Sequence, residues 1–240
     1  MFRSDLELGL LLGTKVWCPI EEVPGYEVLV EMRQELPRDY CRSNQPPYRQ
    51  VVPVLEEILL DTLSFANRLN RASRGPRKPT DYYFHQTVVL LGHRLLNLST
   101  FVDSAFDSEF DKNLHLGLST FVATFFIGPT HKISDFKLLA GILRTAAETS
   151  LSKDKANMEI MLWTLSLARA DMFDEIGDDW LIQTAKSLIS HLGIQSQEDF
   201  ERMLHKYPWV DPLHSESAQK IFSDLCQHNS EIMKSLTNDV

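Results

Sequence analysis

The apolar positions of this chain repeat with the period of an α-helix from about Val51 onward. Between Val54 and Leu69, apolar side chains follow one another at steps of three and four residues, which places them on one face of a helix. Comparable stripes predict further helices at about 81–96, 114–126, 134–151, 155–173, 178–192 and 216–236, with a short one after Ser196. No segment of useful length alternates apolar and polar residues as a strand does. The pattern therefore predicts an all-α fold of about eight helices.

Residues that cap helices mark several of the predicted boundaries. Thr80 and Asp81 are both suited to begin the second long helix, and Ser196 opens a Ser-Gln-Glu-Asp sequence that resembles a capping box. Gly193 fits the position just after a helix, where a positive φ is needed. A loop is predicted at Arg71–Pro79, which contains one glycine and two prolines.

The first 50 residues lack this regular pattern. One short amphipathic piece lies between Pro24 and Pro37, and a Pro46-Pro47 pair follows it. Prolines at these positions interrupt regular structure. We therefore predict an irregular N-terminal segment over residues 1–50 and a single helical domain over residues 51–240.

Composition and charge limit the surfaces that this chain presents. Of its 240 residues, 43% are hydrophobic and 24% are charged, and the formal net charge is −9. Binding to phosphates or to an anionic membrane needs a basic surface, so we expect no direct binding of nucleic acid and no membrane association. Every apolar run is shorter than the ~18 residues of a membrane span. These features predict a soluble protein of the nucleus or the cytoplasm.

Clustered carboxylates raise the question of a metal site. Asp103, Asp107 and Asp111 recur every four residues and would share a face if the segment were helical. More acidic residues surround Gly177. Charged runs of this kind usually form solvated faces, and the histidines and cysteines show no ligand spacing. We therefore predict no metal and no cofactor.

Aromatic side chains on the apolar faces of the central helices are the strongest candidates for a binding site. Bundles of helices build apolar cavities from such faces, although plain core packing accounts for most aromatic residues. A histidine or an arginine beside the rings would supply a polar contact to an apolar ligand. The candidate ligand-binding residues are Tyr83, Phe84, His85, Phe125, Trp163 and Arg169.

The last third of the chain carries short elements in a characteristic order. A Leu-Trp pair on a helix is followed by a small residue, a Trp-Leu pair, a Leu-Gly-Ile end, a capped helix and a Trp-Val-Asp sequence. These elements are Leu162-Trp163, Ala168, Trp180-Leu181, Leu192-Gly193-Ile194, Ser196, Phe200, Leu204 and Trp209-Val210-Asp211. In this order the chain resembles the C-terminal regulatory domain of fungal zinc-cluster transcription factors, over about residues 155–225.

Three differences separate the chain from the pattern of that family. Residues 166–169 (Ser-Leu-Ala-Arg) stand where small glycines are usual, and Asp178-Asp179 stands where a basic residue often precedes the tryptophan. The sequence contains no compact run of six cysteines, which would hold two zinc ions and direct a helix into DNA. The resemblance therefore implies a helical regulatory domain without the DNA-binding module.

Two functions follow from the resemblance and the apolar faces, and the sequence leaves open whether the chain is an enzyme. The first is a stand-alone regulatory domain that binds an apolar small molecule or a partner protein, which includes a second copy in a homodimer. It would act in secondary-metabolite biosynthesis through transcriptional regulation. The alternative is a cofactor-free cyclase, a pericyclase of the Diels-Alderase kind. Such an enzyme would shape a terpenoid or polyketide intermediate in a hydrophobic pocket through orientation and a few hydrogen bonds.

Deletion of the gene separates these two hypotheses. A regulator predicts altered transcripts of the pathway genes. A cyclase predicts that a product disappears while the transcripts stay unchanged. Transcript levels and metabolite profiles from one deletion strain measure both outcomes.

Overall fold

The computed structural model describes residues 2–12, 14–16, 29, 51–76, 80–100, 105–126, 137–150, 154–171 and 179–223, except the side chains of residues 2, 3, 150, 169–171 and 179. Within these ranges the chain forms nine helices and no strand, which confirms the predicted all-α fold. The helices are α1 (Phe2–Leu12), α2 (Pro53–Arg74), α3 (Asp81–Leu98), α4 (Glu109–Ala123), α5 (Lys137–Ser150), α6 (Lys155–Asp171), α7 (Asp179–Leu192), α8 (Gln197–Leu204) and α9 (211–223).

The first helix, α1, lies inside the segment that the sequence predicts to be irregular. Leu6 and Leu10 are buried, and α1 packs on α3 and α5. A Cβ built on Gly92 of α3 would lie 2.6 Å from Leu6 Cδ1, so the glycine allows this close approach. The acidic residues that interrupt the apolar run are only partly buried, and Asp5 Oδ2 lies 4.0 Å from His93 Nε2 of α3. Residues 2–12 are thus helical, although they belong to the segment predicted to be irregular. Residues 17–28 and 30–50 lie outside the described ranges.

The predicted caps are present at the ends of three helices. Thr80 Oγ1 accepts a hydrogen bond from the backbone N–H of Tyr83. Ser196 Oγ accepts from the N–H of Asp199 and donates to its carboxylate. Aspartate is one methylene shorter than the usual glutamate of a capping box, so its bond goes to the serine hydroxyl and not to the serine backbone. Gly193 has φ 66° and closes α7 in a Schellman motif.

Three predicted boundaries move when the structure is compared with the sequence pattern. Helix α2 continues to Arg74, into the predicted loop, because basic residues in a last turn favour the free carbonyls there. Helix α4 begins at Glu109, where Ser108 caps it through the N–H of Asp111. Helix α9 begins at residue 211, and a proline, which favours the first turn of a helix, stands next to this start.

The core is organised around a close crossing of α4 and α6, which share more contacts than any other pair of described helices. A Cβ built on Gly117 of α4 would overlap Trp163 Cζ3 and would lie 2.7 Å from Thr164 Oγ1. The side chain of Trp163 is fully buried. The indole therefore occupies the space that any larger residue at position 117 would fill.

Trp163 also anchors the C-terminal part of the fold. Its ring stacks on Tyr207 with ring centroids 5.1 Å apart, and Nε1 donates to the carbonyl oxygen of Pro208 at 3.0 Å. A buried indole N–H without a partner would cost free energy. The bond to Pro208 removes this cost and fixes the segment that precedes α9.

Asn70 of α2 holds the same segment from the other side. Its Nδ2 donates to the carbonyl oxygen of Trp209 at 2.7 Å, and its Oδ1 accepts from the backbone N–H of Asp211 at 2.8 Å. Arg74, one turn further along α2, pairs with the Asp211 carboxylate. The amide of Asn70 therefore replaces the hydrogen bonds that this irregular backbone lacks.

One buried ion pair joins α2 to α3. Asp61 is fully buried and Arg94 is 8% exposed, and the guanidinium donates to Asp61 and also to Glu57 at its rim. A buried carboxylate without a cation would be strongly unfavourable. The pair therefore fixes the register of the two helices.

The crossing of α4 and α6 predicts opposite effects for alanine at two helical glycines. Gly117→Ala should destabilise the fold by about 1–3 kcal/mol, because the new methyl overlaps Trp163. Gly141→Ala is the matched control, since no atom lies within 4 Å of a Cβ there, and it should stabilise by about 0.4–1 kcal/mol. Urea unfolding followed by circular dichroism measures both. Equal upward shifts of the two midpoints would contradict the close crossing.

Candidate ligand-binding site

Two of the predicted ligand-binding residues lie together in an aromatic cluster. The rings of Phe84 and Phe125 have centroids 5.6 Å apart, and both contact the ring of Phe65 at 5.8 and 5.5 Å. Phe65 is buried, whereas Phe84 and Phe125 are partly buried. Edge and tilted contacts at these distances are favourable packing between rings. The three rings therefore contact one another and form part of the core.

Tyr83 and His85 flank this cluster at the beginning of α3. Arg68 Nη1 donates to Tyr83 Oη at 2.6 Å, and its guanidinium lies 4.3 Å from the centre of the same ring. His85 is exposed, with its ring 5.5 Å from that of Phe84. Both residues therefore lie at the surface end of the cluster.

The two remaining candidates lie on α6. Trp163 is fully buried, and its indole N–H is bonded to Pro208 as described above. In the described part of the chain, no ring contact joins Trp163 to Phe84 or Phe125. Arg169 belongs to α6, but its side chain lies outside the described residues.

A cavity of about 480 Å³ lies between α4 and α5, beside the end of α3. None of the six predicted ligand-binding residues lines it. The apolar part of its lining comes from both helices, and comprises Leu116, Leu138, Ile142 and Ala146. We call this cavity the α4–α5 groove.

The groove exists because α5 carries two apolar stripes. Leu139, Leu143 and Ala147 form one stripe and are fully buried. The neighbouring stripe, one residue earlier in each turn, comprises Leu138, Ile142 and Ala146, which are only partly buried and face the groove. A helix that packs on the core along one face needs only one apolar stripe. The doubled stripe in the sequence is the signal that could have identified the groove.

Asn113 is held in a fixed orientation on the α4 wall. Asn157 Nδ2 donates to the carboxylate of Asp154, so Asn157 Oδ1 must accept, and it accepts from Asn113 Nδ2 at 2.9 Å. The backbone N–H of Asn157 also donates to Asp154, and this bond lowers the pKa of the Asp154 carboxyl. The amide oxygen of Asn113 is thereby defined as a hydrogen-bond acceptor beside the groove.

His115 contributes a neutral imidazole to the same wall. Its Nε2 lies 3.0 Å from the carbonyl oxygen of Leu95, so Nε2 carries the proton and Nδ1 is an acceptor. The side chain is buried. Burial lowers the pKa of His115 to about 4, so the ring is uncharged at neutral pH.

Three charged side chains border the groove. Lys112 Nζ pairs with Glu109 at 3.1 Å on α4. Lys137 lies at the beginning of α5 and is exposed. The lining therefore combines an apolar floor with a neutral polar wall and charged rims, which is typical of a site for a small organic molecule.

A second buried histidine, which the sequence pattern did not single out, lies on α9. The N–H of Val210 donates to His214 Nδ1 at 3.1 Å, so Nε2 carries the proton and donates to Thr124 Oγ1 at 3.2 Å. Burial lowers the pKa of His214 to about 3, against a smaller opposing effect of Asp211. His214 therefore serves as a neutral link between α9 and the end of α4.

Two of the carboxylates that the sequence offered as metal ligands lie in different surroundings. Asp107 is exposed and precedes α4, whereas Asp111 lies within α4 and is buried. Burial raises the pKa of Asp111, although the carboxylate accepts a hydrogen bond from Val52. Asp103 and the side chains around Gly177 lie outside the described residues. In the described ranges, no three His, Cys, Asp or Glu side chains are grouped to hold a metal ion.

In the described ranges, each helix is either too short or too polar to span a lipid bilayer. Comparison with protein-family models, curated proteins and solved structures gave no match. The resemblance to the fungal regulatory domain therefore stays a prediction.

The buried histidines predict that the fold loses stability in mild acid. Folding lowers the pKa of His115 from 6.5 to about 4, so between these values the unfolded chain binds more protons than the folded one. The free energy of unfolding should therefore fall as the pH drops from 6.5 towards 4. Urea unfolding at several pH values should show a smaller fall for His115→Gln. His191→Gln, at an exposed histidine, is the control. If the free energy of unfolding of His115→Gln fell with pH as steeply as that of the native protein, His115 would not be the buried neutral histidine responsible for the loss.

Proposed function

We propose that this chain is a binding domain that holds a small, mainly apolar molecule in the α4–α5 groove. The observation that carries the proposal is the groove itself, with a volume of about 480 Å³, which falls within the ~300–1,000 Å³ of typical ligand sites. Its apolar side chains come from two facing helices, and polar side chains line both of them, with Asn113 and His115 on α4 and Thr145 and Thr149 on α5. A molecule in the groove would remove the apolar stripe of Leu138, Ile142 and Ala146 from water.

The α4 wall of the groove is well fixed before any ligand binds. The crossing at Gly117 and Trp163 holds α4 against α6, and the bond from Asn113 to Asn157 holds the beginning of α4 against the beginning of α6. A wall that needs no ordering costs less conformational entropy on binding. This supports a site that selects its ligand by shape.

A regulatory role follows from the position of α5 between the groove and the rest of the fold. Helix α5 borders the groove and also contacts α1, α6 and α7. A ligand that moved α5 would therefore change the surface formed by these helices, which a partner protein or a second copy of the chain would read. Together with the resemblance to fungal regulatory domains, this supports a regulatory domain in secondary-metabolite biosynthesis, acting on transcription through a partner.

The alternative of a cofactor-free cyclase would use the same groove. Burial lowers the pKa of His115 to about 4, so this imidazole is a weak base for a reaction at neutral pH. Catalysis by orientation alone needs no such base. Because the lining favours binding without favouring a particular reaction, the binding function is the better supported of the two.

Filling the groove should abolish binding of an apolar probe. Ala146→Trp places an indole in the groove, whereas Glu148→Trp places the same ring on an exposed part of α5 that does not line it. Decanol should bind the native protein and Glu148→Trp with similar affinity in isothermal titration calorimetry. It should bind Ala146→Trp at least about tenfold more weakly, because overlap removes the apolar contact area.

Two results would overturn the proposal. One is the absence of heat from decanol binding to the native protein up to the solubility limit at two different temperatures, since the binding enthalpy of an apolar molecule can be near zero at one of them. The other is equal affinity of decanol for the native protein and for Ala146→Trp, with Ala146→Trp and Glu148→Trp both shown to be folded by circular dichroism. Either result would mean that the groove does not hold apolar molecules.

A further inference from the structure

The two ends of the α4–α5 groove can be assigned from the chain connection. Residues 151–154 join α5 to α6, and Asn157, near the beginning of α6, is bonded to Asn113. The end of α5 near Thr149 therefore lies beside Glu109 and Lys112 of α4. Lys137 lies at the opposite end, about 18 Å away along α5, at 1.5 Å for each residue of helix.

The two lysines that line the groove differ in their partners. Lys112 is paired with Glu109, so the charge at that end is balanced within the protein. Lys137 makes no hydrogen bond or ion pair with any group in the described ranges, and it lines the cavity. In a chain with a net charge of −9, a cation that pairs with none of the described carboxylates, at one end of an apolar groove, gives that end a local positive potential.

We propose that the ligand is an amphiphilic carboxylate that lies along the groove with its anionic group at Lys137. Its apolar chain would cover Ile142 and Leu116, and its carboxylate would accept hydrogen bonds from the Lys137 ammonium group. The inference rests on the proposed binding function, and it adds the chemical class and direction of the ligand.

Charge and polarity across the groove favour this orientation over the reverse one. At the other end, a ligand carboxylate would meet the amide oxygen of Asn113 and a lysine, Lys112, whose charge Glu109 already balances. Like charges and facing acceptors repel. The middle of the groove, with Leu116 and Ile142, offers an anion no compensation for lost hydration. Lys137 is thus the lining group that best matches an anion.

The test compares decanoic acid with decanol, which share the apolar chain and differ in charge at neutral pH. Lys137→Gln removes the cation and keeps the length of a polar side chain. Lys155→Gln is the matched control, because Lys155 is an exposed lysine of α6 that does not line the groove. Calorimetry at low ionic strength should show decanoate binding about threefold to tenfold more weakly to Lys137→Gln than to native protein.

Two further measurements complete the test. Decanol should bind native protein, Lys137→Gln and Lys155→Gln equally, and added salt should weaken decanoate binding to native protein but not to Lys137→Gln. If decanoate and decanol bind equally to native protein and to Lys137→Gln, the anionic ligand class is overturned while the groove remains a binding site. If neither probe binds the native protein, the proposed function fails, and this inference fails with it.

Discussion

The fold depends on the close contact between Gly117 of α4 and Trp163 of α6. The absent side chain at position 117 leaves the space that the indole occupies. The indole then stacks on Tyr207 and donates to Pro208. Through Pro208 the same contact reaches the start of α9, where Asn70 of α2 binds the neighbouring backbone groups. One helix crossing thus connects α2, α4, α6 and the segment between α8 and α9. A buried ring of this size also contributes a large share of the apolar area removed from water.

The groove is the counterpart of this tight crossing. Helix α4 lies close against α6, whereas it shares few contacts with α5. Helix α5 places one apolar stripe in the core, and its second stripe stays partly exposed beside α4. The polar wall of α4 is fixed by bonds to α6 and to the end of α3. The result is a site with one rigid wall and one wall, α5, that also contacts α1 and α7. That asymmetry is what links ligand binding to a regulatory role in the proposed function.

Local rules were enough to predict the helical fold and several of its ends, but not the position of the site. Ser196 and Gly193 could be assigned from sequence, and Thr80 as one of two candidates beside Asp81, because a cap depends on its own few residues. The aromatic faces predicted Phe84, Phe125 and Trp163 as ligand-binding residues. In the structure these rings contact other rings or bond to the backbone. An apolar face either packs on a neighbouring helix or borders a cavity, depending on the distances between helices. Those distances are set by residues elsewhere in the fold, such as Gly117. The doubled apolar stripe on α5 was the local sign of the groove. It could not be interpreted as a binding site without the position of α4, which forms the opposite wall.

Nuclear Overhauser effects between a bound decanoate chain and methyl-labelled protein measure the occupancy of the groove most directly. The structure predicts transfer from the chain to the methyl groups of Leu116, Leu138 and Ile142. It predicts none to Leu139 and Leu143, which lie on the buried stripe of the same helix. Transfer confined to Leu8 and Leu12, which are exposed on α1, with none to the groove methyls, would contradict the assignment of the groove as the binding site.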